Sequence, residues 1–387
     1  MKQKILFIFH EDTRTGAPNA LLSFLNYIKE QHPNDFVMDI FVLRSIGGEL
    51  EPELRKIARN FYIKRKRKSV KGKILNAFHL TTPTLFALQM KNKYDVIYGN
   101  TILTLKYLSK IKRKCPKVKT LLHVHESQYL TSLFLDKNRA IEQFKQMDKI
   151  FTVAQSSANN LINNYSIEPE KITIVYPTVS EKEVPLQNNP LKNVYKEYDL
   201  ILVNIGQPTL TKGTELIPQI ANVLHARNPS LKFKILVVGI LNESDYLKAI
   251  RLDISKLQLE DYIELIPHIK TPLNYLEIAN ACLIPSREES FSLIGIHSSI
   301  FEKPIVMFRN AIGISEILDE ECTFTADYLN IVDFVKQIET LYHQPELSKQ
   351  KTMRAKKKYE DVLNSEKVNE KHFRELSRFC SINITTL

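Results

Sequence analysis

Short apolar runs alternate with helix-like patterns along the first half of the chain. Residues 19–30 place apolar side chains on one face at helical spacing, which predicts an amphipathic helix. The apolar runs that predict buried strands lie at residues 5–9, 36–43, 94–98, 120–124 and 149–154. Strands that alternate with helices in this way predict a parallel, doubly wound α/β sheet.

The same pattern restarts after residues 176–190, a polar segment that contains three prolines. Such a segment between two periodic regions is typical of a linker. The strand-like runs that follow it lie at residues 199–205, 234–238, 262–266, 281–284 and 304–308. We therefore predict two Rossmann-like domains, 1–180 and 190–350, that face each other across a cleft, with a charged helical tail at 351–387. Ligands of such folds bind at the carboxyl ends of the strands.

Composition and cysteine usage exclude several classes of protein. Of the 387 residues, 43% are hydrophobic and 25% are charged, which permits packed cores and disfavours wholesale disorder. The four cysteines form no C-x-x-C pair, which argues against a structural zinc site or a disulfide framework. No apolar run approaches the roughly 18–20 residues that span a bilayer. The first nine residues do not resemble a signal peptide, so we expect a cytoplasmic protein.

The net charge of +11 is concentrated in the first half of the chain. Residues 1–180 carry 29 Lys and Arg against 15 Asp and Glu, whereas residues 181–387 carry 25 against 28. The most basic run lies at residues 64–73, and a solvated loop, nucleic acid and an anionic membrane surface are its three possible explanations. Few aromatic residues interleave with the run, so we expect no nucleic-acid partner and favour a membrane surface. The residues assigned to that surface are Lys64, Arg65, Lys66, Arg67 and Lys68.

Two predicted strand-to-helix turns carry residue types suited to an anionic ligand. Gly206 ends a strand and Lys212 follows it, so that backbone can approach a phosphate and an ammonium can contact it. Glu289 precedes a helix that starts near residues 290–292, where free N–H groups suit a diphosphate. The carboxylate of Glu289 suits sugar hydroxyls. Alternatively, the glycine and lysine are ordinary turn residues and Glu289 only caps the helix.

Taken in order, these segments resemble the retaining glycosyltransferases of family 4, which have the GT-B fold. That family shows Gly-Arg-Leu-x3-Lys-Gly, then Pro-Ser-x-x-Glu-Gly-Phe-Gly-Leu-x3-Glu, then Lys-Pro-Val and Gly-Gly-x-x-Glu. The counterparts here are 206–213, 285–297, 303–306 and 313–316, at matching spacings. The glycine loop that begins at Gly16 and the 123–126 segment resemble first-domain motifs of the family. The resemblance covers nearly the whole chain and implies that the tail packs back on the first domain.

The resemblance also implies roles for individual residues. Lys212 would bind the donor diphosphate, Glu289 would hold hydroxyls of the donor sugar, and His125 would lie near the transferred sugar or the acceptor. These three are the catalytic candidates. Glu316 is expected to be structural. The further donor-binding candidates are Gly16, Gly206, Gln207, Ser290, Phe291, Ser292, Leu293 and His297.

Two positions depart from the family pattern. The family's arginine is Gln207, which supplies no charge to a diphosphate. The family's second glutamate is His297, and a neutral imidazole has one acceptor nitrogen, so it cannot grip both ribose hydroxyls. A donor without a 2′-hydroxyl, such as a dTDP-sugar, would fit His297. A histidine that merely packs beside the nucleotide, or a loss of activity, would fit it too.

The resemblance implies retaining sugar transfer from a nucleotide-sugar to a glycan acceptor, lipid-linked and part of bacterial surface-polysaccharide synthesis. The sequence contains no Asp-x-Asp, so we expect a metal-independent enzyme, without a cofactor, at the inner face of the cell membrane. A non-catalytic glycan-binding or partner subunit of the same fold is the alternative, favoured by Gln207 and His297.

Overall fold

The computed structural model describes residues 2–45, 47–64, 93–179 and 189–381. The chain forms two compact units. The first comprises Met1–Thr178 together with Ser365–Leu387, and the second comprises Val179–Asn364. Each unit is an α/β layer structure built on one parallel sheet.

The first unit contains a seven-stranded parallel sheet of order β3-β2-β1-β4-β5-β6-β7. Its central strands are almost wholly buried, since helices cover both faces of the sheet. The strands are β1 Gln3–Phe9, β2 Phe36–Val42, β3 Asn60–Ile63, β4 Val96–Asn100, β5 Lys119–Val124, β6 Lys149–Thr152 and β7 Ile172–Ile174.

The helices of the first unit enclose two hydrophobic layers, one on each face of the sheet. The helices are α1 Gly16–Gln31, α2 Glu51–Ile57, α3 Leu105–Lys114, α4 Gln128–Phe134, α5 Lys137–Lys145, α6 Gln155–Tyr165 and the distant α14 Ser365–Ser381. One layer lies under α1, α2 and α14, and it includes Phe24, Leu376 and Phe379. The other lies under α3, α5 and α6 and includes Leu108 and Phe144.

The second unit contains a six-stranded parallel sheet of order β10-β9-β8-β11-β12-β13. Its strands are β8 Leu200–Ile205, β9 Phe233–Ile240, β10 Ile263–Pro267, β11 Ala281–Ile284, β12 Ile305–Phe308 and β13 Phe324–Ala326. Its helices are α7 Leu191–Val194, α8 Ile217–Arg227, α9 Asp245–Lys256, α10 Leu273–Ile278, α11 Leu293–Ile300, α12 Ile331–His343 and α13 Pro345–Lys358. The strand order reverses between β8 and β11, which is where ligands of such sheets bind.

The structure confirms the predicted fold class and extends it at the sheet edges. Two Rossmann-like units with parallel sheets are present, and α14 returns to the first unit, as predicted. The predicted tail starts at residue 351, whereas the units change at Ser365, because α13 packs on α11 and α12 of the second unit. Three short edge strands, β3, β7 and β13, went unpredicted because each is only three or four residues long. Much of the predicted linker, residues 180–188, lies outside the described residues.

Candidate functional site

The turn after β8 approaches neighbouring backbone closely, and glycine makes this possible. Gly206 has φ +149°, a conformation that L side chains rarely adopt. A Cβ added to Gly239, at the end of β9, would lie 3.1 Å from the carbonyl oxygen of Gly206. The side-chain oxygen of Gln207 accepts a hydrogen bond of 2.9 Å from the Leu241 N–H. Gln207 therefore ties the two turns together and leaves its NH₂ group as the remaining donor.

Gly213 holds the other end of the turn against the exit of β11. It has φ +63°, and a Cβ there would collide with the backbone carbonyl of Pro285. Only glycine fits both the left-handed conformation and this close approach. The backbone continues the contact, because Arg287 donates its N–H to the carbonyl oxygen of Thr211 at 2.8 Å. The Gly206–Gly213 turn and the segment after β11 thus form one packed surface.

Lys212 and Glu289 meet on this surface. The ammonium of Lys212 forms an ion pair with Oε1 of Glu289, and Ser286 Oγ donates to Oε2 of the same carboxylate at 3.1 Å. The Lys212 side chain is 33% exposed and that of Glu289 only 12%. The Glu289 backbone is fixed on both sides, since its N–H donates to Ala311 and its carbonyl accepts from Gly313, both at 3.0 Å. The carboxylate is therefore held in place, whereas the lysine reaches it from a more exposed position.

A second polar cluster supports the same turn and was not predicted from the sequence. Arg287 forms an ion pair with Glu215, whose carboxylate also bonds to the hydroxyl of Tyr246. That hydroxyl lies 2.9 Å from the carbonyl oxygen of Thr209. Burial and the neighbouring Glu215 raise the pKa of Tyr246, so the hydroxyl keeps its proton. Arg287 adjoins the recognised motif, but nothing in the sequence pattern links Tyr246 to it.

Helix α11 starts at the carboxyl edge of the sheet, directly after the Glu289 segment. Its N-cap, Ser292, is fully buried, and its hydroxyl oxygen has no hydrogen-bond partner within the described part of the chain. Phe291 is buried as well, whereas Ser290 and Leu293 are half-buried. The first N–H groups of any helix lack intrahelical acceptors and point away from its N-terminus. The edge beside Lys212 is therefore suited to bind an anion.

His297 lies one turn further along α11 and is 9% exposed. Burial lowers its pKa to about 4, so the imidazole is neutral at physiological pH. A neutral imidazole offers one donor and one acceptor. The structure thus brings Gly206, Gln207, Lys212, Glu289 and the start of α11 to one sheet edge of the second unit, with His297 just behind it.

The other predicted site residues belong to the first unit. Gly16 is the first residue of α1 and is exposed, and His125 follows β5 with a half-buried side chain. Burial lowers the pKa of His125 well below its usual range, and the nearby His123 and His10 lower it further. Its backbone N–H donates to the buried carboxylate of Glu126 at 3.0 Å. The imidazole of His125 is therefore neutral and its backbone is held in place.

Of the basic residues assigned to a membrane surface, only Lys64 is described. Its ammonium bonds to the hydroxyl of Tyr107 at 3.0 Å, whereas Arg65, Lys66, Arg67 and Lys68 lie outside the described residues. Within the described ranges, no helix has the length and apolar composition needed to cross a membrane. No group of three or more His, Cys, Asp or Glu side chains in those ranges is arranged to hold a metal ion.

Two family models match the chain and together account for most of it. The model "Glycosyltransferase Family 4" matches residues 24–183, and "Glycosyl transferases group 1" matches residues 187–358. The chain belongs to glycosyltransferase family 4. The recognised motifs of the donor edge lie within the second match, and the His125 segment lies within the first.

Curated relatives of this family 4 chain are distant. An uncharacterized glycosyltransferase of Haemophilus influenzae is 27% identical over 44% of the chain and 48% of its own length. The capsular polysaccharide biosynthesis glycosyltransferase CapM of Staphylococcus aureus is 21% identical over 56% of the chain and 58% of its own length. The chain thus spans about half the length of the curated relatives it matches.

Solved structures resemble the chain over nearly its whole length. Anabaena Alr3699/HepE, solved in complex with UDP-glucose, has a TM-score of 0.80 at 15% identity and covers 97% of this chain and 100% of its own. WaaG, a glycosyltransferase involved in lipopolysaccharide biosynthesis, has a TM-score of 0.71 at 13% identity over 99% of this chain and 100% of its own. At such low identity this likeness shows the fold, which is GT-B.

Proposed function

We propose that this family 4 chain transfers a sugar from a nucleotide-sugar donor to a glycan acceptor during bacterial surface-polysaccharide synthesis. The observation that carries the proposal is the Lys212–Glu289 pair beside the start of α11. An ammonium, helix N–H groups and a fixed carboxylate side by side suit a ligand with a diphosphate at one end and hydroxyls at the other. A nucleotide-sugar has both.

In the free protein Lys212 and Glu289 satisfy one another. When the donor binds, Lys212 turns to the diphosphate and Glu289 accepts hydrogen bonds from the sugar hydroxyls. Glu289 needs little rearrangement for this, because its backbone is bonded on both sides and Ser286 orients its carboxylate. The UDP-glucose complex of HepE, a structural neighbour, is consistent with a UDP-sugar donor.

The chemical step follows from this arrangement and is retaining and metal-independent in the proposal. The bond between the anomeric carbon and the departing diphosphate breaks while the acceptor oxygen bonds to the same face of that carbon. The acceptor proton passes to an oxygen of the leaving diphosphate. The protein's contribution is to orient the substrates and to stabilise the negative charge on the diphosphate, mainly through Lys212 and the α11 N-terminus.

The first unit would hold the acceptor. Neutral His125 can share one hydrogen bond with the transferred sugar or the acceptor hydroxyl without adding charge. The basic run that begins at Lys64 supports a lipid-linked acceptor at the inner face of the cell membrane, since each cation near an anionic surface contributes about 1 kcal/mol. The likeness to CapM, a capsular polysaccharide enzyme, supports the same class of acceptor.

Donor binding tests the proposal directly. Calorimetry would compare UDP, GDP, dTDP and UDP-glucose, with and without EDTA, on the wild type and on Lys212→Ala. The matched control is Lys248→Ala, which removes an exposed lysine that also pairs with a carboxylate, at 3.1 Å, but lies in α9. We expect one nucleotide to bind, to bind equally in EDTA, and to bind at least tenfold more weakly to Lys212→Ala alone. A preference for dTDP would favour the reading of His297 as a donor-selecting residue.

The alternative is a non-catalytic subunit of the same fold. It is favoured by Gln207, whose side-chain oxygen is engaged by the Leu241 N–H and which brings no charge to a diphosphate. A well-folded sample that binds none of the nucleotides would favour this alternative and contradict the enzyme.

A further inference from the structure

Exposed large hydrophobic side chains of the first unit gather at one place. Among its described residues they are Leu103, Tyr129, Leu133 and Phe134, with exposed fractions of 44%, 44%, 61% and 53%. Leu103 lies in the short 3₁₀ helix Ile102–Thr104 after β4, and the other three lie in α4 after β5. Single exposed hydrophobic residues are ordinary, but a group of them indicates an interaction surface. We call these four residues the apolar patch.

Helix α4 has its polarity reversed relative to a normal surface helix. Its one buried residue is Thr131, whose hydroxyl donates to the Ser127 carbonyl at 2.7 Å. Tyr129 and Leu133 are four positions apart and therefore share a face, and that face is exposed. A helix that only covers a core would place its apolar face inward. This one presents it outward.

Backbone hydrogen bonds bring the two segments of the patch together. The N–H of Ile102, next to Leu103, donates to the buried Glu126 carboxylate at 3.1 Å. Glu126 lies three residues before Tyr129, and its carboxylate also accepts the N–H of His125. Burial raises the pKa of Glu126 to about 7, opposed by these backbone N–H groups. The apolar patch is therefore fixed beside the strand end that carries His125.

The surroundings of the apolar patch are strongly basic. Residues 101–119 contain six lysines and one arginine and no Asp or Glu. Lys106 is exposed one turn after Leu103. Lys64, the last described residue before the basic run, bonds to Tyr107 on the same helix, α3. Positive charge thus continues from the basic run to the edge of the apolar patch.

We infer that the apolar patch inserts into the surface of a bilayer that carries anionic lipids, beside the basic residues that attract it. The combination of exposed Leu, Phe and Tyr with surrounding Lys and Arg is the one that binds such interfaces. A second copy of the chain fits less well, because a symmetric contact through the apolar patch would bring two sets of like charges together. The inference rests on the proposed function for its purpose, which is to bring a lipid-linked acceptor to the His125 side of the first unit.

Vesicle flotation tests the inference with the full chain. The probes are vesicles of phosphatidylcholine alone and of phosphatidylcholine with 30% phosphatidylglycerol, each in 0.1 M and 1 M NaCl. High salt screens the basic run, since the Debye length falls to about 3 Å at 1 M, but it leaves apolar insertion intact. The variant is Leu133→Ser with Phe134→Ser. The control is Leu252→Ser, which removes a leucine that is 57% exposed in α9 of the second unit.

We expect the wild type and the control to bind anionic vesicles and to retain part of that binding at 1 M NaCl. We expect the double variant to bind roughly tenfold more weakly, equivalent to about 1.4 kcal/mol, with no salt-resistant part. Equal binding of all three proteins, or no binding by the wild type, would overturn the inference. So would a double variant that changes only the oligomeric state in sedimentation. UDP binding in the same samples separates this outcome from a failure of the proposed function.

Discussion

Replacing Glu289 by glutamine should change the binding of UDP and of UDP-glucose in opposite directions. In the free protein the Glu289 carboxylate holds the Lys212 ammonium in an ion pair. UDP must draw Lys212 away from that carboxylate and must approach its negative charge. The Glu289→Gln substitution removes both obstacles while keeping the shape of the side chain and its bond to Ser286.

The magnitudes follow from the exposure of the two side chains. The Lys212 side chain is 33% exposed, so the pair resembles a surface ion pair, which contributes about 0.2–1 kcal/mol. Its loss should tighten UDP binding by up to about fivefold. UDP-glucose gains the same amount but loses hydrogen bonds from its hydroxyls to a charged acceptor, each worth about 1.5–3 kcal/mol. UDP-glucose should therefore bind roughly tenfold or more weakly relative to UDP than it does in the wild type.

Titration calorimetry with both ligands measures the two dissociation constants. The matched control is Glu243→Gln, which neutralises an exposed carboxylate of the second unit that lies 3.7 Å from Arg251. We expect the control to leave both constants unchanged. If Glu289→Gln weakened UDP and UDP-glucose equally, Glu289 would only shape the site and would not contact the sugar. If neither constant changed, the ion pair would lie outside the donor site.

Three further substitutions test the fold and its pH dependence. Gly213→Ala should lower the free energy of unfolding in urea by about 2–5 kcal/mol, from left-handed strain and the collision with Pro285; Gly47→Ala, with φ +82° and open space, should cost only about 1–2 kcal/mol. Tyr98→Phe should cost about 1–3 kcal/mol, because its buried hydroxyl bonds to His123 at 2.6 Å and to His372 at 3.0 Å, and an unchanged melting temperature would contradict this. His297 has a pKa of about 4 against an ordinary value of 6.5, so the unfolded chain binds its proton first and stability falls as the pH falls from 6.5 to 4. His297→Gln should lose roughly 2 kcal/mol less stability between pH 7 and pH 4.5 than the wild type, and identical pH profiles would refute this.

The central strands of both sheets were predictable because they are buried on both faces and read as continuous apolar runs. β1, β8 and β11 were predicted within two residues of their ends. β3, β7 and β13 lie at sheet edges or are half-exposed, so their three or four residues leave no distinct pattern. Hydrophobic periodicity identifies the strands that a sheet buries, and it misses those that close its edges.

The candidate donor site was predictable only where its residues lie close together in sequence. Lys212 and Glu289 were identified through motif spacing, and the structure brings them into an ion pair. The Glu215–Arg287–Tyr246 cluster escaped prediction, because its members come from three segments that only the fold brings together. The apolar patch escaped for the opposite reason, since a sequence does not reveal which leucines face outward.

The return of α14 to the first unit fixes the order in which the two units can be completed. Tyr27 donates a hydrogen bond to Glu370 across 343 positions of the sequence, and Leu376 lies in the same core layer as Ile5. A ribosome therefore delivers every residue of the second unit before it delivers the helix that completes the first. Until then one face of the first sheet lacks its covering helix, so chaperones have a defined interval in which to bind it. The last step of folding closes a loop that already contains a finished globular unit, which makes α14 the element whose loss would affect assembly most.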